Sequence, residues 1–391
     1  MERRSPCDCT VSQAGQRGQQ ADARGGRPGV QSCPHRPLAA LDESPGGKVR
    51  PRGFSHQTRR RAGPTAAAAA AAAVLLAVAS LVPSSMAAKT RKGGGAYMTA
   101  HMTYHASTLD PSDQTVDVFY PETQSRGARR QGMRRADQDG FPLISYAHGF
   151  SGGGDIDIFA YFPLLHEIAS WGYIVAATRA CNLGCKVAPR DLPFDPPGFG
   201  TYYQQQLRVI AFAREQHAQH DAVFAGVNFS CGVGVAGHSM GGQASLFSSS
   251  YGNASAADVR SAVIHHAFTH LFPSPQVPFL AFTGEADAVA AASMTEAFFA
   301  AAGGPYGCDG CARGLVDVKS AGHLHPLTDF VRVAFFTAAW FKLFLDCRTQ
   351  DLGVNWDDAV FGNSSGSLCT GGGGDMTRCV LHRGVSRCRN P

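Results

Sequence analysis

Gly237-His238-Ser239-Met240-Gly241-Gly242 constrains this chain more than any other stretch. A short apolar run, Val233-Gly234-Val235-Ala236, precedes it, and a helix-like run, Gln243-Ala244-Ser245-Leu246-Phe247, follows. Strand, Gly-x-Ser-x-Gly and helix in that order describe a turn so sharp that its serine must take a strained backbone conformation. Glycines two positions before and two after keep neighbouring atoms from clashing, and the serine hydroxyl stands clear at the end of the strand. A chain with this turn must supply a sheet for the strand and a helix packed behind it. The plainer alternative is a glycine-rich turn whose serine caps a helix.

The rest of the chain supplies that sheet. From about residue 97, short apolar runs alternate with helical ones. Residues 115–120 alternate polar and apolar and stop at Pro121, as an antiparallel edge or early strand would. Residues 143–147, 173–177, 260–265, 278–283 and 315–319 read as further strands, and the wholly apolar 173–177 suits a sheet covered on both faces. Helices are expected at 163–171, with Leu164, Leu165 and Ile168 on one face, and at 202–217, with Leu207, Ile210 and Ala211 on one side. Two more are expected at 291–302 and 328–345, the last with Val331, Phe335, Ala338 and Phe341 or their neighbours inward. This alternation predicts an α/β fold, a mostly parallel sheet with helices on both faces. Residues 97–346 form one catalytic-sized domain of about 250 residues, with no insertion long enough for a large lid domain.

An activated serine needs a base, an acid to orient it and donors for the oxyanion. Around an elbow of this kind the chain order is nucleophile, acid, histidine. The strand at 278–283 runs into Gly284-Glu285-Ala286-Asp287, which offers Asp287 as the acid with Glu285 as its rival. The strand at 315–319 runs into Ser320-Ala321-Gly322-His323, which offers His323 as the base with His325 as its competitor. The plainer readings are a solvated turn and a solvated loop histidine. Two oxyanion donors are expected, the backbone N–H of Met240 and that of Phe150, in the loop His148-Gly149-Phe150-Ser151-Gly152-Gly153-Gly154 after an early strand. His148 reads as a structural hydrogen-bonding residue. His238, His265, His266 and His270 are histidine-rich, but no acid or cysteine near them has ligand spacing, and no metal is expected.

The first 88 residues differ from the rest. Residues 1–64 carry 12 Lys or Arg against 5 Asp or Glu and few apolar residues, a disordered basic leader. Residues 65–88 are uncharged and alanine-rich, preceded by Arg59-Arg60-Arg61 and followed by small residues, a signal-like segment with a signal anchor as the alternative. The leader ahead of it implies a later true start, an organellar transit peptide or a twin-arginine route. The net charge of +5 belongs to this leader, so it gives no sign of a nucleic-acid partner. Nine of the 12 cysteines lie beyond residue 88, a density that points to disulfides and export to an oxidising compartment. Cys181/Cys185 and Cys308/Cys311 could each pin a loop, and Cys231 is the expected free, buried thiol. Residues 347–391 read as an irregular Cys/Gly-rich tail tied down by Cys347–Cys369 or a similar pair.

His148-Gly149-Phe150, the stretch Glu167-Ile168-Ala169-Ser170-Trp171-Gly172-Tyr173-Ile174-Val175, the Gly-His-Ser-Met-Gly-Gly turn and Ala339-Trp340-Phe341-Lys342-Leu343-Phe344-Leu345-Asp346 resemble the chlorophyllase and cutinase or polyester-hydrolase group of α/β-hydrolases. The resemblance covers about residues 97–350. It implies a lidless, cofactor-free serine esterase with Ser239, Asp287 and His323 as triad and Phe150 with Met240 as oxyanion donors. Plant chlorophyllases usually have arginine after the nucleophile, where this chain has Met240. Where the polyester enzymes carry a tryptophan, this chain has His265-His266-Ala267-Phe268. The expected activity is hydrolysis of a small or lipid-like carboxylic ester by a monomer, with contact to a membrane or polymer surface allowed for. The alternatives are a platelet-activating-factor-type phospholipid acyl hydrolase and a catalytically silent binding protein of the same fold.

Overall fold

The computed structural model describes residues 91–384 except 93, 110–113, 123–139, 150–153, 181–201, 251, 305–306, 309, 346–351 and 373. The leader at 1–64, the signal-like segment at 65–88, the loop expected at 181–200 with its Cys181/Cys185 pair, and Phe150 lie outside the described residues.

Among the described residues ten strands form one sheet in the order β1-β2-β3-β5-β4-β6-β7-β8-β9-β10. In chain order they are β1 (Arg91–Lys92), β2 (Met98–His105), β3 (Thr115–Pro121), β4 (Leu143–Ala147), β5 (Ile174–Thr178), β6 (Val233–His238), β7 (Val259–His265), β8 (Phe279–Gly284), β9 (Arg313–Val318) and β10 (Met376–His382). The six central strands β5, β4, β6, β7, β8 and β9 run parallel. The flanking pairs are antiparallel. The expected α/β sheet is thus present. β3 is antiparallel as expected but interior, because β2 pairs along its outer side.

Successive side chains of a strand face opposite ways, so a sheet covered on both faces must be apolar throughout. β4 and β5 are buried at every position. Ile144, Tyr146, Val175 and Ala177 join one core cluster, while Leu143, Ile174 and Ala176 join the other. The first cluster is roofed by α1 (Gly154–Ser170) and α7 (Phe330–Phe344) through Leu164, Leu165, Ile168, Trp340 and Phe341. The second is roofed by α2 (Tyr202–Ala218), α3 (Met240–Ser248) and α5 (Ala292–Ala301) through Val209, Phe212, Leu246 and Phe298. Between these, α4 (Asn253–Ala257) leads into β7 and α6 (His325–Thr328) precedes α7.

Several local expectations shift. Pro163 reads as a helix start because a first-turn residue needs no N–H partner, yet α1 begins nine residues earlier and passes through it. Ile158 and Tyr161 from those added turns are buried and hold them down. In α2 the inward face carries Gln205, Gln206, Val209, Ile210, Phe212 and Ala213, and Ala211 points to solvent. In α7 Val331 is exposed while Val333, Ala334 and Phe336 turn inward beside Ala338 and Phe341.

The stretch after residue 351 is not irregular. α8 (Trp356–Phe361) buries Trp356 and Val360 against α7, and β10 pairs antiparallel with β9 and covers that edge. Cys369 bonds to Cys379 within this segment, not to Cys347, and Cys308 bonds to Cys311 as expected. Cys231 is disulfide-bonded and only partly buried, so it is not the free thiol. Among the described residues no helix is long and apolar enough to cross a membrane.

Candidate active site

Ser239 lies between the end of β6 and the start of α3 with φ 58° and ψ −118°, backbone angles that side-chain-bearing residues rarely adopt. The neighbouring glycines make the turn possible. A Cβ at Gly237 would run into the carbonyl of Gly241, and one at Gly241 into the carbonyl of Ala147 on β4. The turn is tied at both ends, with Ser239 N–H donating to His265 O at 3.0 Å and Phe268 N–H donating to Ser239 O at 3.1 Å. Gly241→Ala is therefore expected to lower Tm by several degrees and to abolish any activity that depends on the Ser239 hydroxyl. Gly366→Ala, where an added Cβ meets nothing within 4 Å, should leave both nearly unchanged; thermal melts and ester assays of the two variants check this.

Behind the turn sits an unanticipated polar hub. Gln206 of α2 is fully buried, and its Nε2 donates to Ser145 O at 3.1 Å, Ala236 O at 3.1 Å and Ser245 Oγ at 2.9 Å. Its Oε1 accepts from Ser248 Oγ at 2.8 Å. One side chain thus clamps β4, β6 and α3. Buried amide groups are costly unless each is paired, and here the pairing fixes the helix that follows the serine.

β8 and β9 bring their following loops to the same edge of the sheet. His323 Nε2 is 2.8 Å from Ser239 Oγ, and its Nδ1 is 2.9 Å from Asp287 Oδ2. Asp287 Oδ1 accepts from the backbone N–H groups of Val289 at 2.9 Å and Ala290 at 2.8 Å. Burial by itself would raise the pKa of this carboxyl. Hydrogen bonds from His266 and then His323 outweigh burial and hold it below the ordinary carboxylate range. The competitors lie elsewhere. Glu285 Oε2 accepts from Ser320 N–H at 3.0 Å, and His325 faces Asp329, with 3.6 Å between Nε2 and Oδ2.

Two further histidines complete the cluster. His238, inside the elbow, stands 2.6 Å from Tyr161 Oη through Nδ1 and 2.7 Å from His323 O through Nε2. Burial, then its imidazole neighbours, push its pKa well down. The neutral ring then accepts from the Tyr161 hydroxyl and donates to His323 O. Tyr161 Oη also accepts from Gly149 N–H at 2.9 Å. One relay of hydrogen bonds thus joins the loop after β4, the elbow and the main chain of His323. His266 Nδ1 lies 2.8 Å from Asp287 Oδ2, on the oxygen that His323 uses. The ligand atoms of His266, Asp287 and His323 lie within 4.8 Å of one another, as in a metal site, and the two hydrogen bonds to Oδ2 account for that gathering. His148, as expected, is a structural residue, buried with its ring nitrogens on the carbonyls of Gly149 and Ala180.

Met240, after the serine, opens α3, where its N–H has no carbonyl one turn back to bond. Its side chain is buried with Ala147, Ala180, Tyr202 and Ala244. Sequence reasoning missed Tyr161, Gln206 and His266. A tyrosine and a glutamine in helices carry no motif, and His266 stood out only as one of a histidine pair.

Residues 167–356 match a family model described as PET hydrolase-like (PETase), a stretch that contains the elbow and both loops bearing Asp287 and His323. A comparison with curated proteins found no match. The sheet topology and the strand–serine–helix elbow are those of an α/β-hydrolase, and residues 167–356 are similar to the PET hydrolase-like group of that fold, a family of carboxylic ester hydrolases.

Proposed function

We propose that this protein is a serine hydrolase that cleaves carboxylic esters through an acyl-enzyme. The observation that carries the reading is the unbroken hydrogen-bonded line Ser239 Oγ, His323 Nε2, His323 Nδ1, Asp287 Oδ2. In the proposed reaction Ser239 Oγ attacks the ester carbonyl carbon while His323 Nε2 takes the hydroxyl proton. The anion of Asp287 stabilises the imidazolium without taking its proton. The tetrahedral oxyanion receives the N–H of Met240 and, by our reading, that of Phe150. Collapse expels the alcohol, to which His323 returns the proton, and a water activated by the same imidazole releases the acid.

The rim favours apolar esters. Phe268 is bonded to the backbone of Ser239, and the chain runs from it to the exposed Leu271 and Phe272. Val289, also exposed, follows Asp287. A lipid-like or polymeric ester would lay its apolar part on these side chains. The disulfides support action in an oxidising compartment, in keeping with an exported protein.

A fluorophosphonate probe is expected to label wild-type protein at Ser239 and not the Ser239→Ala variant, with p-nitrophenyl butyrate hydrolysis lost in parallel. Wild-type protein that takes no label and releases nitrophenol only at the background rate would identify a silent binding protein instead. Preference for phospholipid over short soluble esters would move the substrate to the phospholipid acyl class.

A further inference from the structure

Building on the roles proposed for Ser239, His323 and Asp287, we propose that His266 is a positioning residue of the same site: a neutral second imidazole that shares Asp287 Oδ2 with His323, fixing the carboxylate and moderating its pull on the base.

The chain leaves β7 at His265, and His266 takes φ 45°, a left-handed conformation uncommon outside glycine that histidine adopts more readily than most residues. Its backbone N–H donates to Phe282 O at 2.8 Å, which holds the residue in that conformation. The kink turns the imidazole under the loop after β8, fully buried, with Nδ1 2.8 Å from Asp287 Oδ2. Among the described residues Nε2 has no hydrogen-bond partner. The ring keeps an uncommon backbone conformation and an orphaned nitrogen, and its one N–H goes to the carboxylate.

Among the described residues Asp287 is the only charged group bonded to the ring. His323, His325 and His238 face it with ring centroids 6.3, 5.6 and 6.1 Å away, and His265 adjoins it in the chain. Asp329 and Arg332 lie beyond His325. Burial keeps His266 neutral despite the carboxylate, so Nδ1 carries the proton and donates it. Asp287 then accepts four hydrogen bonds, two backbone N–H groups on Oδ1 and two imidazoles on Oδ2. Each donor makes the carboxylate less basic and less able to rotate. With both imidazoles on one oxygen, whatever His266 draws from Oδ2 is unavailable to His323 when it becomes cationic.

The test uses two variants of the full chain. In the asparagine variant the side-chain amide can stand where Nδ1 stands, and asparagine tolerates positive φ; phenylalanine keeps a ring and removes the donor. His266→Phe is expected to lower kcat about tenfold, the scale of one lost hydrogen bond to a charged group, with KM little changed. The acid limb of its kcat/KM profile should move up by about half a pH unit or more. His266→Asn should keep kcat within about threefold of wild type and leave that limb in place. Selectively labelled histidine NMR adds a reading independent of turnover: beside the protected imidazole N–H signals of His323, His238 and His148, wild type should show one from His266 that is missing in His266→Asn. If His266→Phe retains wild-type kcat and acid limb, or fails to fold while His266→Asn is as slow as a donorless variant should be, the proposal is overturned. A protected low-field imidazole signal count that is the same in wild type and His266→Asn overturns it as well. Failure of the broader esterase reading looks different, since wild-type protein would then take no fluorophosphonate label.

Discussion

Ser239→Ala is expected to reduce kcat for a nitrophenyl ester by about six orders of magnitude, and His323→Ala by about as much. The magnitude follows from the geometry. The hydroxyl is the group that would bond to the carbonyl carbon, and His323 Nε2, 2.8 Å away, is the base within reach of its proton. Because the two act as one unit, the double variant should be no slower than either single one. Asp287→Asn should cost about 10⁴ in kcat while leaving KM within a few-fold, since an amide cannot impose the same tautomer on the ring. Here the cost has a second source. With its carbonyl oxygen in the place of Oδ2, the introduced amide would set its NH₂ against the N–H groups of Val289 and Ala290, and turned the other way it would leave His266 and His323 both unpaired. Stopped assays with nitrophenyl butyrate, backed by active-site titration to confirm enzyme concentration, measure each loss. Residual rates within tenfold of wild type in Ser239→Ala would remove the nucleophile from the scheme.

The parts of this site that sequence makes visible are those carried by local pattern at a strand end. A Gly-x-Ser-x-Gly turn needs its glycines because of contacts with Gly241 and Ala147 that any such elbow would make, so the spacing betrays it. Asp287 and His323 could be placed because β8 and β9 are apolar runs that stop where the loops begin. His266 was out of reach for a different reason. Its partner is set by the register of β7 against β8, where His265 pairs with Phe282, and by a left-handed residue at the strand end. Neither register nor the sign of φ can be read from a His-His doublet. The same holds for β10. Met376-Thr-Arg-Cys-Val-Leu-His has weak strand character and follows a glycine run, and it becomes a strand by pairing with β9 some sixty residues earlier. Non-local pairing likewise decided the cysteines, where chain proximity favoured Cys308 with Cys311 but could not rank Cys369 with Cys379 above Cys347.

Acid should destabilise this fold well above the pH at which carboxylates titrate. His238, His265, His266 and His325 are all held neutral chiefly by burial, which neighbouring imidazoles reinforce and which, in His266, prevails over the opposing pull of Asp287. His265 is pushed down to about 3 and His325 to about 4. In the unfolded chain each would take up a proton near the ordinary value of about 6.5. The unfolded state therefore binds more protons below that value, and stability falls as pH falls from about 6.5 until the folded-state values are reached. For a fully buried ring such as His265, the loss at pH 5 relative to pH 7 is about 2 kcal/mol. Asp287 acts in a separate window. Its lowered pKa adds stability above about pH 4 that is lost only at lower pH, so between pH 6.5 and 4 the histidines dominate this cluster's contribution. Chemical unfolding at pH 7, 6 and 5 should show stability declining with a slope equivalent to about three protons taken up per molecule near pH 5. His265→Phe should reduce that slope by about one proton, because it removes one ring that unfolding would charge. A stability profile flat between pH 7 and 5 would mean that these rings take up protons in the folded protein as they do in the unfolded chain, and the neutral donor on Asp287 Oδ2 would then be lost as pH falls.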